Sequence, residues 1–400
     1  MKILHTVEAY YPSVAGMPEV VRQLSERLAA LGHKVTVATS KDKNRRGSEL
    51  NKVSIKEFDL GGNAVLGFNG TEDEQKRYQD FLQYGQFDVI VNFAAQQWAT
   101  DLALLILEKI KAKKVFVPTG FSGLYDIRYK DYFDNMKSWL KRYDLNIFLS
   151  NDYRDINFAR DNGIEKIIII PNGASEEEFL APLNFDIRRE LGVSPDNFLI
   201  LLVGSHTGLK GHAEAIRIFS RAKIDKATLL IVGNFPGGWK RGRLCLVSCK
   251  IKEKFYPWLF KIKNQNKKLI IASLPREKTV AAYRSANLFL FPSNIECSPI
   301  VLFEAMAAKL PFLASAAGNT EEIISWSGGG QLLPSRKKDN GYCDVIIDES
   351  ARLLEKTYSD KDLSQKLANS GFIAWQERFT WKKIARQYES EYKKLLNSQL

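Results

Sequence analysis

Glu296 and Glu304 are separated by seven residues in Glu296-Cys-Ser-Pro-Ile-Val-Leu-Phe-Glu304. The second lies in the otherwise apolar run Pro299-Ile-Val-Leu-Phe-Glu-Ala-Met-Ala-Ala308. An ionised carboxylate in such a run is costly to desolvate, so it demands a partner. Ser298 suits a helix N-cap, and Pro299 suits the first helical position. The amides near Ile300 and Val301 would then face an anion. Glu304 would lie roughly 8 Å beyond the cap at 1.5 Å per residue, too deep for a capping box. That depth suits accepting hydrogen bonds from ligand hydroxyls, such as those of a ribose. Glu296, on the loop before the cap, suits a sugar hydroxyl on the other side. The plainer alternative pairs Glu304 with a lysine and leaves Glu296 solvated.

A second segment, Gly204-Ser205-His206-Thr-Gly-Leu-Lys210-Gly-His212, follows the strand-like run Phe198–Val203 and leads into a helix. Strand, glycine-rich turn, lysine and helix N-terminus form an anion site, because backbone N–H groups and the helix dipole favour phosphate. The turn is not a Walker A loop. Leu209 stands where that loop needs glycine, and Gly211 stands where it needs the magnesium-binding Ser or Thr. An ordinary tight turn with a surface lysine is the plainer alternative. A third loop, Tyr11 to Pro18, carries Gly16 after the first strand. The chain has no Gly-x-Gly-x-x-Gly, so a dinucleotide fingerprint is missing.

Nothing in the spacing points to a metal. There is no Asp-x-Asp pair, and the histidines at 5, 33, 206 and 212 give no ligand pattern. His206 and His212 read as shaping the turn. Cys245 and Cys249 are close, but no Cys or His pair nearby in sequence completes a zinc site. All four cysteines (245, 249, 297 and 343) read as free thiols in a reducing cytoplasm.

The elements that must position these residues alternate. Strand-like runs at 2–7, 34–39, 53–58, 87–92, 115–118, 146–150 and 166–170 are separated by helical periodicity. Val20, Val21, Leu24 and Leu28 share one face of a helix over 17–31. The pattern restarts after Asn172-Gly173 and an acidic, proline-containing linker over 174–195. Strands follow at 198–203, 228–232, 269–272, 288–291 and 312–314, with helices between them, including 213–222 and 300–308. Alternation of this kind predicts an α/β protein of two doubly wound, Rossmann-like domains, each with a parallel sheet. The predicted limits are 1–172, 173–378 and a crossover helix over 379–400 that packs on the first domain. Two such domains facing a central cleft would put ligands at the carboxyl ends of the strands.

Four hundred residues suit two domains of about 200 each. Hydrophobic content of 45% and charged content of 26% describe a soluble globular chain. No apolar stretch nears the roughly 20 residues of a membrane span, and the first residues do not read as a signal peptide. The formal charge is +12, and residues 239–268 supply most of it, with ten Lys or Arg against one acid, Glu253.

These motifs, in this order, resemble the retaining GT-B glycosyltransferases of family 4. Gly16 with its helix and Gly32-His33-Lys-Val-Thr-Val-Ala38 are similar to the family's glycine loop and "GHxVxV" strand. Ile170-Pro-Asn172-Gly173 resembles its interdomain "IPNG". Gly204 to Gly211 resembles its "GR…KG" turn, and Glu296 to Glu304 its E-x7-E motif. Gly318-Asn-Thr-Glu-Glu322-Ile and Phe379-Thr-Trp381 resemble its later "GG…EI" and final "F-[ST]-W" segments. The resemblance implies a nucleotide-diphosphate sugar as donor, held mainly by the second domain, and transfer of a hexose with retention and without a metal. It implies that Lys210 neutralises the departing diphosphate, Glu304 accepts from the ribose, and Glu296 holds the transferred sugar. Ser298, Ile300 and Val301 would offer amides to phosphate or sugar, with Gly204, Ser205 and His206 lining the same turn. The Gly16 loop would face the acceptor and the diphosphate. Three departures stand out. Ser205 replaces the family's usual arginine, with His206 as a partial substitute donor. Pro118-Thr119-Gly120 stands where the family often has a histidine after a strand. Met17 and Asn319 replace the second glycine of two pairs. A sugar-nucleotide epimerase on the same fold, or a degenerate protein that only binds nucleotide sugar, are the rival readings.

The segment 239–268 reads as a basic insertion. Phe255, Tyr256, Trp258 and Phe260 interleave with its lysines, which suits an anionic membrane surface. The expected partners are therefore the donor, a glycan or lipid-linked acceptor of cell-surface polysaccharide or glycolipid synthesis, and such a surface. No nucleic-acid motif accompanies the charge. The expected location is cytoplasmic, peripheral on the inner face of the membrane.

Overall fold

A computed structural model of the protein describes residues 1–13, 16–235, 240–262, 265–338 and 340–397. Val14 and Ala15 of the Gly16 loop, and Trp239, Lys263 and Asn264 of the basic segment, lie outside the described residues. The chain divides into two units, Met1–Asn172 with Trp381–Leu400, and Gly173–Thr380.

The first unit contains strands β1 (Lys2–Thr6), β2 (Lys34–Ser40), β3 (Glu49–Leu50), β4 (Val53–Phe58), β5 (Gly61–Asn63), β6 (Gly67–Asn69), β7 (Val89–Phe93), β8 (Lys113–Val117), β9 (Leu145–Phe148) and β10 (Ile167–Ile169). Its described residues form an eight-stranded sheet in the order β10-β9-β8-β7-β1-β2-β4-β3. Neighbours run parallel except β3, which returns antiparallel on β4. β5 and β6 make a separate hairpin. The central strands are buried along their whole length, as β7 shows. Such strands read as continuous apolar runs because helices cover both faces. Helix α1 (Gly16–Ala30) turns Val20, Val21, Leu24 and Leu28 into the core.

The C-terminal helix, Trp381–Asn397, packs against α1. Trp381, Ile384, Tyr388 and Tyr392 recur at three- and four-residue steps and are buried. Leu395, one turn further on, is only half-buried. His33 Nε2 lies 2.9 Å from Glu389 Oε1 and ties this helix to the end of α1.

The second unit contains β11 (Phe198–Val203), β12 (Ala227–Val232), β13 (Lys267–Ala272), β14 (Leu288–Phe291), β15 (Phe312–Ala314), β16 (Gly330–Leu332) and a hairpin of β17 (Ser335–Lys337) with β18 (Cys343–Val345). The parallel sheet runs β13-β12-β11-β14-β15-β16. Two features differ from the expectations. The acidic stretch 174–195 is not a plain linker. It holds short helices at Glu176–Leu180 and Ile187–Glu190, which bury Phe179 and Ile187 in this unit's core. The basic segment is not an insertion either. It forms helix α3 (Lys240–Ile262), the crossover between the parallel neighbours β12 and β13. A parallel pair cannot be joined without one. α2 is the helix His212–Arg221 that precedes it.

Replacing Ile384 by Ala leaves a hole against α1. The expected loss is about 2–5 kcal/mol in the urea unfolding of the first unit. The exposed Lys382→Ala serves as the control and should change stability by less than about 0.5 kcal/mol.

Candidate active site

β11 is flanked by β12 on one side and β14 on the other, so successive connections leave it in opposite directions. At such a reversal the loops after the two strands part and leave a crevice at the strands' carboxyl ends. The loop after β11 carries Gly204 to Gly211, and the loop after β14 carries Ser293 to Glu296. These are the two segments singled out for chemistry.

They are stitched together. The Asn294 amide donates to the Leu209 carbonyl at 2.8 Å, and Ser293 Oγ lies 3.1 Å from the same oxygen. Gly211, the residue before α2, has φ +71°. A Cβ there would sit 2.0 Å from the Pro292 carbonyl oxygen, so only glycine lets the loops approach this closely. The result places Lys210 opposite Glu296. Lys210 Nζ reaches both carboxylate oxygens, at 2.7 and 2.9 Å, and Ser293 Oγ donates to Oε1 at 2.7 Å. Lys210 is about a third exposed and Glu296 nearly buried. An ammonium has three donors; with two on Glu296, one remains to turn towards an anion.

Glu304 lies in α5 (Ile300–Ala307) and is 3% exposed. Its partner is not a lysine. Arg276 Nη1 meets Glu304 Oε1 at 2.6 Å, and Arg276 Nη2 meets Glu178 Oε2 at 2.6 Å. Arg276 opens helix α4 (Arg276–Ser285), directly after Pro275. Burial pushes the Glu304 pKa above its ordinary value; Arg276 opposes this, and Glu178 adds to it. The guanidinium thus holds two carboxylates, one from the interdomain stretch and one from the motif. Neither Glu178 nor Arg276 was expected, since nothing in their spacing links them to Glu304.

The start of α5 differs by one residue from the prediction. Pro299 is the N-cap, not the first helical residue, and no side chain caps it. Ser298 therefore precedes the cap and is half-buried, with its Oγ shielded from solvent. Ile300 and Val301 form the first turn, where amides lack helical partners. Behind them Gly318 has φ +61°, and a Cβ on it would meet the Cys297 carbonyl oxygen at 2.5 Å. The Asn319 amide donates to that same oxygen at 2.9 Å.

Ser205 and His206 follow Gly204 in the turn, and the His206 amide donates to the Asn234 carbonyl at 2.9 Å. The His206 ring is fully buried. It stands against His212, with ring centroids 4.5 Å apart, and Cys245 and Cys249 complete the group. Sequence spacing had kept these four apart. Gly16 begins α1 in the first unit, and among the described residues nothing lies within 4 Å of where its Cβ would stand. In that unit, Ala94 and Gln96 after β7 and Thr119 and Phe121 after β8 adopt φ of 61°, 62°, 58° and 42°. Left-handed non-glycine residues are strained and cluster where loops serve a ligand. Only Thr119 lies in a stretch noted from the sequence, Pro118-Thr119-Gly120, and nothing there marked its left-handed backbone.

Arg276→Met leaves the buried Glu304 without its cation. A carboxylate whose folded pKa is raised contributes stability below its unfolded pKa, and loses it as pH rises through the folded value. The variant should therefore resemble wild type near pH 4 and fall progressively behind towards pH 7, by about 3–5 kcal/mol. Melting temperatures across that range test this, and Arg276→Met with Glu304→Gln should remove the slope.

Comparison with known proteins places the whole chain. The family model described as Glycosyl transferases group 1 matches residues 184–340, and Glycosyltransferase Family 4 matches residues 14–178. A probable sucrose-phosphate synthase of Thermosipho melanesiensis is 21% identical over 94% of this chain and 90% of its own length. Among solved structures, a sucrose-phosphate synthase from Thermosynechococcus elongatus matches with a TM-score of 0.76 at 19% identity, over 99% of both chains. Anabaena HepE, solved with UDP, gives 0.73 at 16% identity, over 98% of this chain and 100% of its own. With one family model matched in each unit, the chain belongs to the group 1, family 4-like glycosyltransferases and has their GT-B fold of two Rossmann-like domains.

Proposed function

We propose that this protein transfers a hexosyl group from a nucleotide-diphosphate sugar to a glycan or lipid-linked acceptor, with retention and with no metal in the transfer step. The observation that carries this reading is the Lys210–Glu296 pair at the strand-order reversal of the second unit. A diphosphate there meets the free donor of Lys210, the first-turn amides of α2 and the first-turn amides of α5. Preorganised donors aimed at a leaving group lower the barrier as its charge grows. Glu296, held by Lys210 and Ser293, presents acceptors to sugar hydroxyls. The Glu304–Arg276 pair lies on α5 and α4, and Glu304 would accept from the ribose through the oxygen that Arg276 leaves. In the reaction the bond from the anomeric carbon to the diphosphate oxygen breaks, and the acceptor oxygen takes its place. The acceptor proton leaves with the diphosphate. Neither glutamate acts as acid or base. Retention and metal independence rest on the family resemblance. The UDP bound to HepE supports a nucleoside diphosphate as the leaving group.

The acceptor side of the reading rests on α3. Leu244, Val247, Ile251, Phe255, Trp258 and Ile262 recur at three- and four-residue steps, and all are exposed. Cys249 and Phe260, on the opposite face, are buried in the core. A helix that leaves one full apolar stripe in water has a further partner. Arg243, Lys254 and Lys261 flank the stripe and are exposed. An apolar face with a basic margin fits an anionic lipid surface, which would place a cytoplasmic, peripheral enzyme beside lipid-linked acceptors. Among the described residues no helix is long and apolar enough to cross a membrane.

Purified protein should be stabilised by one of UDP, GDP, ADP or TDP, by about 2.7 kcal/mol at a hundred times the dissociation constant. Its sugar donor should be turned over, and Lys210→Ala should slow turnover on the order of 100- to 1,000-fold. Negligible turnover, equal in wild type and Glu296→Gln, would instead identify a nucleotide-sugar binder. For α3, vesicles containing phosphatidylglycerol should sediment the protein and neutral vesicles should not. Neutralising Arg243, Lys254 and Lys261 together should weaken that binding roughly 100-fold, at about 1 kcal/mol per charge. Equal binding to both vesicle types, or none, means a merely solvated basic face.

A further inference from the structure

Four ligand-type atoms converge behind the phosphate turn. His206 Nδ1 and His212 Nδ1 are 3.1 Å apart. Cys245 Sγ lies 3.6 Å from the first and 3.4 Å from the second. Cys249 joins them, and all four atoms lie within 4.8 Å of one another. In a tetrahedral zinc site, Zn–N of about 2.0–2.1 Å and Zn–S of about 2.3 Å set ligand atoms about 3.3–3.8 Å apart. The three separations among His206 Nδ1, His212 Nδ1 and Cys245 Sγ, 3.1 to 3.6 Å, fall at or close to that range.

The chemistry of the set agrees with its size. His212 Nε2 is 3.0 Å from the Gly204 carbonyl oxygen. Facing a carbonyl, that nitrogen carries the proton, so His212 Nδ1 is left as a lone pair aimed into the cluster. This is the outer hydrogen bond that orients metal-bound imidazoles. His206 is fully buried, and among the described residues its Nε2 has no hydrogen-bond partner. An Nδ1–H of His206 donating to His212 Nδ1 satisfies that pair alone, whereas a cation at the centre would satisfy both nitrogens and the two sulfurs together. Cys245 and Cys249 lie one turn apart on α3, so both sulfurs point the same way. Cys245 is half-exposed and supplies a route in. The spacings His206-x5-His212 and Cys245-x3-Cys249 are each usual for zinc, although the histidine pair comes first and 32 residues separate the pairs.

We propose that His206, His212, Cys245 and Cys249 bind a structural zinc ion that fastens helix α3 to the turn bearing Lys210. The histidines bracket Lys210 in sequence, so the ion would fix the turn from behind while taking no part in sugar transfer. It would also anchor the buried side of the helix whose other side carries the exposed apolar stripe.

Full-length protein purified without chelator should carry about one zinc per chain by plasma mass spectrometry. Reduced, stripped protein titrated with Co2+ should develop thiolate-to-cobalt charge-transfer absorption and the visible bands of a tetrahedral ion. Both signals should vanish in Cys245→Ser/Cys249→Ser and shift in His206→Gln. Circular dichroism checks that each variant is folded, and wild-type cobalt spectra decide the question even if the double variant is not. Three results would overturn the proposal. These are reduced wild type that takes up neither zinc nor cobalt, cobalt bands unchanged by the cysteine substitutions, or a disulfide between Cys245 and Cys249 in protein as isolated. None of these readouts depends on sugar transfer.

Discussion

The parallel pairing of β11 with β14 is the constraint from which the second unit's site follows. β12 and β13 extend the sheet one way and β14 to β16 the other, so β11 is where the winding reverses. The loops after β11 and β14 must then leave the sheet side by side and diverge. What keeps them from drifting is short-range. Asn294 and Ser293 hold Leu209, and Gly211 permits the approach to Pro292. Lys210 and Glu296 meet because of these contacts, although 85 residues lie between them. Their charges lower the cost of each other's partial burial, and the pair stays open enough to exchange with a ligand.

Glu304 shows a different solution to the same cost. It is far more deeply buried than Lys210, and Arg276 compensates it while also taking Glu178. Planar guanidinium donors suit this double task better than an ammonium would. The arrangement couples three segments distant in sequence: the stretch after Asn172, the start of α4 and the motif helix α5. A carboxylate this deeply buried needs such a cation nearby, since neutral hydroxyls alone would not offset its desolvation. The motif's two glutamates are therefore unlike in environment, one paired at the rim and one compensated in the core.

α3 carries obligations on both faces. As the β12–β13 crossover it must cover the sheet, which Cys249 and Phe260 do. Its cysteines also meet the two histidines of the turn that bears Lys210. Its outer face remains apolar with a basic margin. One helix thus connects the sheet, the turn behind Lys210 and an uncovered surface, and its sequence reads as unusual because three demands are written on it.

Much was legible in the residues alone. Apolar runs located most of the long strands of both sheets, and periodicity located the helices near 17–31, 213–222 and 300–308, because each of these buries its own face and so carries its own pattern; the helices Glu72–Tyr84, Lys130–Arg142, Ile347–Ser359 and Lys361–Ala374 were not assigned. The Glu296–Glu304 spacing and the turn at Lys210 were visible for the same reason: each is a local signal in one stretch of chain. What stayed hidden depends on the partner. The linker reading of 174–195 missed Phe179 and Glu178, whose roles exist only against the core and Arg276. The insertion reading of 239–268 missed a crossover helix, since strand adjacency is not a property of any one segment. Pro299 caps α5 where Ser298 was expected, because the residue types allow either register and the terminal residue of a helix is not set by a local pattern. The histidine and cysteine pairs looked unrelated across 32 residues, and only the βαβ winding brings them together. The sequence alone determined which residues want burial, turns or charge. The tertiary structure decided which of them meet, because contacts between distant segments are set by strand order and loop approach, and no local pattern records those.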